Sequence, residues 1–373
     1  MIYLDSAATS LYKPPAVANA VLHAMRTMAS PGRGAHRPAM AAAELCYRCR
    51  ERAARLFGVS EPDRVVLTFN ATHGLNIAIR SLVPPGGRVL VSGWEHNAVT
   101  RPLYALGAEL RIVKTPLFDR TAFLREAARL IEGVDAVICT QVSNVFGFIL
   151  PIEELAALCR AREVPLVIDA SQGAGVLPLN FDRLGAAFAA MPGHKGLMGP
   201  QGTGLLLCQN DARPLLYGGS GSESRNPDMP SFLPDRLEAG TPNVCGIAGL
   251  YAALGWLLDK GTERVRAGEW RLLRTLADAL AATGRLQLFD SGDPEAQTGV
   301  LSVIPKGMSC DALAEALGTQ GVAVRSGLHC APLAHETAGT LDTGTLRFSV
   351  SPFLSGAQTE RAAAICKKIL KSA

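Results

Sequence analysis

The sequence of 373 residues predicts an α/β fold, with a mainly parallel central sheet covered by helices and a smaller α+β C-terminal domain. Three observations predict it. From about residue 14 to 208, helical periodicity alternates with short runs rich in Val, Ile and Leu, the pattern of βαβ units. Those runs are apolar at successive positions, as strands buried on both faces must be, so they belong in the middle of a parallel sheet. Beyond about residue 256 the pattern changes to widely spaced strands and helices, which suits a second, smaller unit.

In chain order, MIYLDSAAT reads as a short strand entering a turn. Helices are expected near 14–28, 39–57, 73–82, 97–106, 120–131 and 152–162, where apolar residues recur at helical spacing. Between and after them, strands are expected at Val65–Phe69, Arg88–Ser92, Leu110–Lys114, Ala136–Gln141, Leu166–Asp169, Ala186–Met191 and Gly204–Cys208. Residues 217–243 are rich in Gly, Ser and Pro and lack periodicity, the signature of a functional or disordered segment. Helical patterning then runs through Trp256 and Asp259, followed by strands near Gly299–Ile304 and Leu346–Val350 and helices near 309–318 and 357–371. The expected division is a large domain over 14–255 and a small one built from 1–13 and 256–373.

Composition narrows the function classes. The 48% of hydrophobic residues lie in short runs, none of the roughly 18 residues that a membrane helix needs. A net charge of +4, with Lys367, Lys368 and Lys371 on a C-terminal helix face, gives no reason to expect nucleic-acid binding. The N-terminus lacks the charged start and apolar core of a secretory signal, so a cytoplasmic location is expected. Nine cysteines without regular spacing point to free thiols in a reducing compartment. Cys46 and Cys49 form a CxxC, but they sit in an amphipathic helix and no second pair completes a zinc site; they read as packing thiols, and no metal site is expected.

Five segments carry residues suited to chemistry. In MPGHKGLMGPQGTG, residues 191–204, Lys195 lies in a Gly and Pro rich loop after a strand; a lysine there is a surface charge unless its surroundings lower its pKa. In LVIDASQ, 166–172, Asp169 ends an apolar strand, where a carboxylate can cap a turn or hold a pyridinium nitrogen protonated. In TFNATHGLN, 68–76, Asn70 or Thr72 can cap a helix, and the same free amides can take an anion such as a cofactor phosphate. In WEHNAV, 94–99, His96 follows a strand end, as a capping residue or as a flat ring to stack on a cofactor. In VRSGLHCAP, 324–332, Cys330 is either a small buried hydrophobe or, beside Arg325 and His329, a reactive thiol.

Together these segments resemble the class V aminotransferase superfamily of fold type I pyridoxal phosphate (PLP) enzymes, and within it the cysteine desulfurase and selenocysteine lyase group. The ordered motifs are YLDSAATS, PGRGAHR, NATHGLN, WEHNAV, SNVFG, DASQ, GHKGLMGPQGTG, EAGTPN, RSGLHCAP and LRFS. The RSGLHCAP loop is similar to the short cysteine loop of group-II desulfurases, in a short bacterial subfamily. The resemblance implies that Lys195 binds PLP covalently, Asp169 pairs with its ring nitrogen, Gln172 bonds its phenolic oxygen and His96 stacks on its ring. It further implies that Thr72, the amide of Ala71 and His194 hold the phosphate, and that Thr241 reaches the phosphate of a neighbouring subunit in a homodimer. Arg347 would grip the substrate carboxylate, Asn144 would lie between substrate and cofactor, Ala8 would line the substrate site, and Arg325 would flank the cysteine loop. The implied substrates are L-cysteine or L-selenocysteine, with catalysis by Lys195, Cys330 and His96 and a protein acceptor for the sulfur or selenium. A class V aminotransferase or epimerase would share Lys195 and Asp169 without needing Cys330. The sequence departs from the group at Ser6 (usually Asn), His73 (commonly Glu), Pro192 (commonly Ser) and Leu328 (commonly His).

Overall fold

A computed structural model describes residues 1–32, 34–209 and 212–372; Arg33 of the PGRGAHR run lies outside the described residues. The elements are β1 (Ile2–Tyr3), α1 (Pro15–Thr27), α2 (Arg37–Phe57), β2 (Val65–Thr68), α3 (Ala71–Leu82), β3 (Arg88–Ser92) and α4 (Asn97–Ala105). Next come β4 (Glu109–Val113), α5 (Arg120–Leu130), β5 (Ala136–Thr140), α6 (Ile152–Ala161), β6 (Leu166–Asp169), α7 (Phe181–Leu184), β7 (Phe188–Pro192) and β8 (Gly204–Cys208). The C-terminal part holds α8 (Val244–Lys260), α9 (Thr262–Ala281), β9 (Leu286–Phe289), β10 (Val300–Pro305), α10 (Cys310–Thr319), β11 (Val322–Ala323), β12 (Arg325–Gly327), α11 (Pro332–Ala338), β13 (Thr345–Ser349) and α12 (Gly356–Ser372).

Seven strands form the large sheet in the order β2-β8-β7-β6-β5-β3-β4. Strands β7, β6, β5, β3 and β4 run parallel to one another, and β8 runs antiparallel between β7 and β2. Successive side chains alternate between faces, which explains the unbroken apolar runs. On β6, Leu166 and Ile168 enter one core with Phe57, Phe123 and Leu254, while Val167 enters the opposite core with Leu75, Ile77 and Val99. The same alternation holds on β8, where Leu205 and Leu207 face the first core and Leu206 and Cys208 the second. Cys46 and Cys49 are buried in the first core, and burial pushes their thiols up to about 11 and about 12, as packing residues require.

A four-stranded antiparallel sheet, β12-β13-β10-β9, forms the smaller unit, with β1 pairing in parallel with β11 beside it. Ile2 and Leu4 pack in one core with Leu273, Leu301, Phe348 and Cys366, so the N-terminus is tied to residues at the far end of the chain. Helix α9 joins the two units, with Val265 in the core of the large sheet and Leu273, Leu276 and Leu280 in that of the small one. Among the described residues no helix is long and apolar enough to cross a membrane.

Four expected strands are displaced by one or two residues, those near Gly299–Ile304 and Leu346–Val350 running over Val300–Pro305 and Thr345–Ser349. The strand expected from Leu110 begins at Glu109, and the one expected from Ala186 begins at Phe188, because Gly185 closes α7 in the left-handed conformation at φ 64° and the chain must leave that turn before it can pair. The helix expected from residue 73 starts at Ala71, where Asn70 Oδ1 accepts the His73 amide at 2.9 Å and supplies the cap. The stretch 217–243 contains no helix or strand, as its composition predicts.

Candidate active site

The parallel strands end on one side of the sheet, and their carboxyl ends carry the residues singled out in the sequence. A cavity of about 180 Å³ lies there, lined by Asn70, Ala71, Thr72, His96, Asn144, Asp169, Gln172, His194 and Lys195, with Ala98, Thr140, Val142, Ser171 and Pro192 completing its wall. Five separate connections contribute to it: β2 to α3, β3 to α4, the segment after β5, the segment after β6, and the loop between β7 and β8. Of the thirteen residues assigned from the sequence, the cavity gathers Ala71, Thr72, His96, Asn144, Asp169, Gln172, His194 and Lys195. Thr241, exposed ahead of α8, is not among its lining residues, and neither are Ala8, Arg325, Cys330 and Arg347.

Asp169 is buried at the end of β6, and its Oδ1 accepts hydrogen bonds from the amide and hydroxyl of Ser171. Lys195 sits half-buried in the loop between β7 and β8. Burial pushes its amine down to about 8, against the pull of Asp169 and Cys330, while the positive charge of Arg347 adds to the fall. That is the environment in which a lysine becomes a usable base or nucleophile near neutral pH. The loop is fixed against the segment after β6: a Cβ on Gly175 would lie 2.2 Å from the Gly196 carbonyl oxygen, and one on Gly196 would lie 2.3 Å from that of Ala174. Only glycines allow the two backbones to meet there.

His96 fills both readings open to it. Its Nδ1 accepts the Ala98 amide at 2.9 Å and caps α4, while the ring also lines the cavity. Accepting at Nδ1 leaves the proton on Nε2. Burial, followed by the charge of Lys195, pushes the imidazole down to about 4, so it is neutral near pH 7. His194 is likewise pushed down to about 4 by burial and then by Lys195 and Lys13, and its Nδ1 pairs with Thr9 Oγ1 at 3.0 Å. Gln172 Nε2 donates to the Ala7 carbonyl at 2.9 Å, so the segment entering from β1 is laced to both the DASQ and GHK runs.

Cys330 is the one exposed cysteine; Cys245 is half-buried and the other seven are buried. His329 and Cys330 both take left-handed backbone, at φ 50° and 56°, which costs free energy for residues with a Cβ and turns the thiol outward from a tight bend. The bend is tethered rather than loose. Its carbonyls accept hydrogen bonds from the large unit, His329 O from Asn144 Nδ2 at 2.8 Å and Cys330 O from the Asn97 amide at 2.8 Å. On the other side His329 Nε2 lies 3.1 Å from Thr345 Oγ1 on β13. The His329 and His335 rings stack at 5.8 Å, and burial pushes the two imidazoles down to about 2 and about 4.

Arg347 is 2% exposed, and Asp5 is the residue that sequence reasoning missed beside it. Asp5 Oδ1 accepts from Arg347 Nη2 at 3.0 Å, and Asp5 Oδ2 accepts from Arg325 Nη2 at 3.0 Å. Arg347 Nη1 donates to the Asn144 carbonyl at 2.9 Å. Glu95, also unassigned from the sequence, is fully buried beside His96 and accepts from Ser92 Oγ and from the Thr140 amide, with burial pushing it up to about 8. Both acids sit within quoted motifs, YLDSAATS and WEHNAV, but no local pattern marks what they contact.

Comparison with known proteins places this geometry. The profile of the family "Aminotransferase class-V" matches residues 2–361. A probable cysteine desulfurase of Aeropyrum pernix is 32% identical over 360 residues, covering 90% of this chain and 86% of that protein. One of Methanothermobacter thermautotrophicus is 30% identical, covering 91% and 88%. Among solved structures, the apo cysteine desulfurase of Thermococcus onnurineus superposes with a TM-score of 0.91 at 28% identity, covering all of this chain and 95% of the other. A cysteine desulfurase of Escherichia coli does so with 0.87 at 27% identity, again over all of this chain and 95% of the other. With the family match running almost end to end and the strand-end residues gathered around one cavity, the chain belongs to the aminotransferase class-V family.

Proposed function

We propose that this protein is a PLP-dependent cysteine desulfurase that converts L-cysteine to L-alanine and leaves the sulfur on Cys330 as a persulfide. The observation that carries this reading is the thiol itself: Cys330 is exposed and set out by a tight bend whose His329 carbonyl is held at 2.8 Å by Asn144, a residue of the cavity wall. An aminotransferase or epimerase has no use for it.

The cavity suits the cofactor. Asn144 Oδ1 is buried without a partner among the described residues, and the amides of Ala71 and Thr72 open α3 as a helix N-terminus open to a phosphate. Asp169 is the carboxylate for the ring nitrogen, His96 the flat neutral ring beside it, Gln172 the partner for the phenolic oxygen, and Thr72 and His194 further phosphate contacts. When bound, PLP supplies an electron sink for the bond changes at the substrate's Cα. Lys195, both anchor and base, accepts the α-proton, its lowered pKa leaving it able to act near neutral pH. Arg347 holds the substrate carboxylate, with Asn144 and Ala8 beside the bound amino acid and Arg325 flanking the thiol. The Cys330 thiolate then bonds to the substrate sulfur as the carbon–sulfur bond breaks, the carbon keeping the electron pair and taking a proton to give alanine.

An exposed persulfide suits transfer to a protein acceptor. Thr241 is exposed ahead of α8, where it is free to serve the phosphate of a second subunit in a homodimer. Nine unpaired cysteines support a reducing, cytoplasmic setting.

The test is alanine release from L-cysteine and from L-selenocysteine by wild type and by Cys330→Ala. A thiol leaves with a pKa of about 8.5, and a selenol is far more acidic, so selenide departs without a nucleophile pulling on it. Cysteine turnover is expected to vanish in the variant while part of any selenocysteine turnover persists. Wild-type release of sulfur from cysteine by the variant overturns the persulfide step, and a keto-acid product in place of alanine overturns the desulfurase reading.

A further inference from the structure

We propose that Asp5 is a positioning residue for substrate recognition: it fixes Arg347 for the carboxylate of an α-amino acid and draws the neighbouring Arg325 onto its own second oxygen. This rests on the role given to Arg347 above. Strands β12 and β13 pair so that Arg325 lies directly opposite Arg347, and like charges placed opposite each other across a sheet repel. One carboxylate resolves the conflict. Its Oδ1 takes Arg347 Nη2 at 3.0 Å, and its Oδ2 takes Arg325 Nε at 3.1 Å and Nη2 at 3.0 Å.

The backbone that carries the carboxylate is itself held. Asp5 bridges to Ser349 on β13, and the backbone on either side of it is bonded to the same residue, Ser349 N to Leu4 O at 2.8 Å and Ser6 N to Ser349 O at 3.4 Å. Arg347 is thereby gripped from two directions, at Nη2 by Asp5 and at Nη1 by the Asn144 carbonyl, while its buried Nε has no hydrogen-bond partner among the described residues. Burial pushes the guanidinium below its usual range and Asp5 opposes that fall. The side chain has therefore lost its rotamer freedom before a substrate arrives, which is the condition for tight and oriented carboxylate binding.

The experiment uses the full chain with PLP bound, as wild type and Asp5→Asn. Losing a charge-assisted anchor is expected to raise KM for L-cysteine roughly tenfold or more with kcat within about twofold. The dissociation constant for L-alanine, read from the cofactor absorption spectrum without turnover, should rise by the same factor. Unchanged KM and alanine affinity overturn the proposal, and so does a fall in kcat alone. If Asp5→Asn melts before assay temperature, the alanine titration is run below its melting point, where unchanged affinity overturns the proposal, and Asp5→Glu, which keeps the carboxylate, is expected to bind alanine more tightly than Asp5→Asn. Failure of wild type to turn over cysteine would count against the desulfurase reading, whereas the alanine titration tests Asp5 independently of it.

Discussion

Lys195 and Cys330 owe their chemistry to different kinds of surroundings. Lys195 is shaped by burial, which brings its amine down to about 8, and Lys195→Ala is expected to abolish the absorption band of covalently held PLP; a retained band would mean that another lysine carries it. Cys330 is shaped by position, through the two carbonyls that fix its bend. Asn144 is central to that position, because it donates to His329 O and its own carbonyl accepts from Arg347, linking the thiol loop to the carboxylate site. Removing the first of these bonds in Asn144→Ala costs about 1 kcal/mol, which predicts roughly a fivefold fall in the rate of sulfur transfer. The alkylation rate of Cys330 by iodoacetamide, set by the thiol itself, should change less than the rate of transfer. A larger change in alkylation would show that Asn144 tunes reactivity instead of placement.

At the level of elements, the site depends on backbone segments that touch without side chains between them. Gly196→Ala places a Cβ 2.3 Å from the Ala174 carbonyl oxygen, so the loop bearing Lys195 has to move away from the segment after Asp169. Overpacking of this kind costs about 1–3 kcal/mol, and the variant is expected to melt earlier and to lose PLP faster on dialysis than wild type. The strands that build this region were legible in the sequence because burial on both faces leaves an unbroken apolar run, and their ends mark where Asp169, His96 and Lys195 must emerge. The small unit was less legible. Strand β12 is Arg-Ser-Gly, with no apolar residue, and exists because it pairs with β13; its register could not be read from its own composition. Helix α11 has seven residues, although Pro332 at its start and Gly339 at its end are the punctuation that could have located it. Asp5 stayed hidden because its partners lie 320 and 342 residues away, a distance across which a local pattern carries no signal.

For the whole molecule, four buried groups and the half-buried His96 and His194 set a pH optimum that can be derived from the direction of each shift. His96, His194, His329 and His335 are held below 6.5, at about 4, 4, 2 and 4, so the unfolded chain binds protons that the folded one refuses. Their contribution to stability is full above pH 6.5 and is lost as pH falls from there towards 4. Glu95 and Glu269 are held above 4.5, each at about 8, by burial. Their contribution is full below pH 4.5 and is lost as pH rises towards 8. Between 4.5 and 6.5 four of these groups gain with rising pH while two lose; above 6.5 the two losses remain, until near pH 8 the lowered amine of Lys195 begins to add a gain in the opposite sense. The PLP-free protein is therefore expected to be most stable near pH 6.5, with melting temperature falling on both sides. The two limbs can be separated: Glu269→Gln, which stays neutral at every pH, should flatten the alkaline limb and leave the acid limb in place. A melting profile that keeps rising from pH 6.5 to 8, or an alkaline limb unchanged by Glu269→Gln, would show that this carboxyl is ionised in the folded protein.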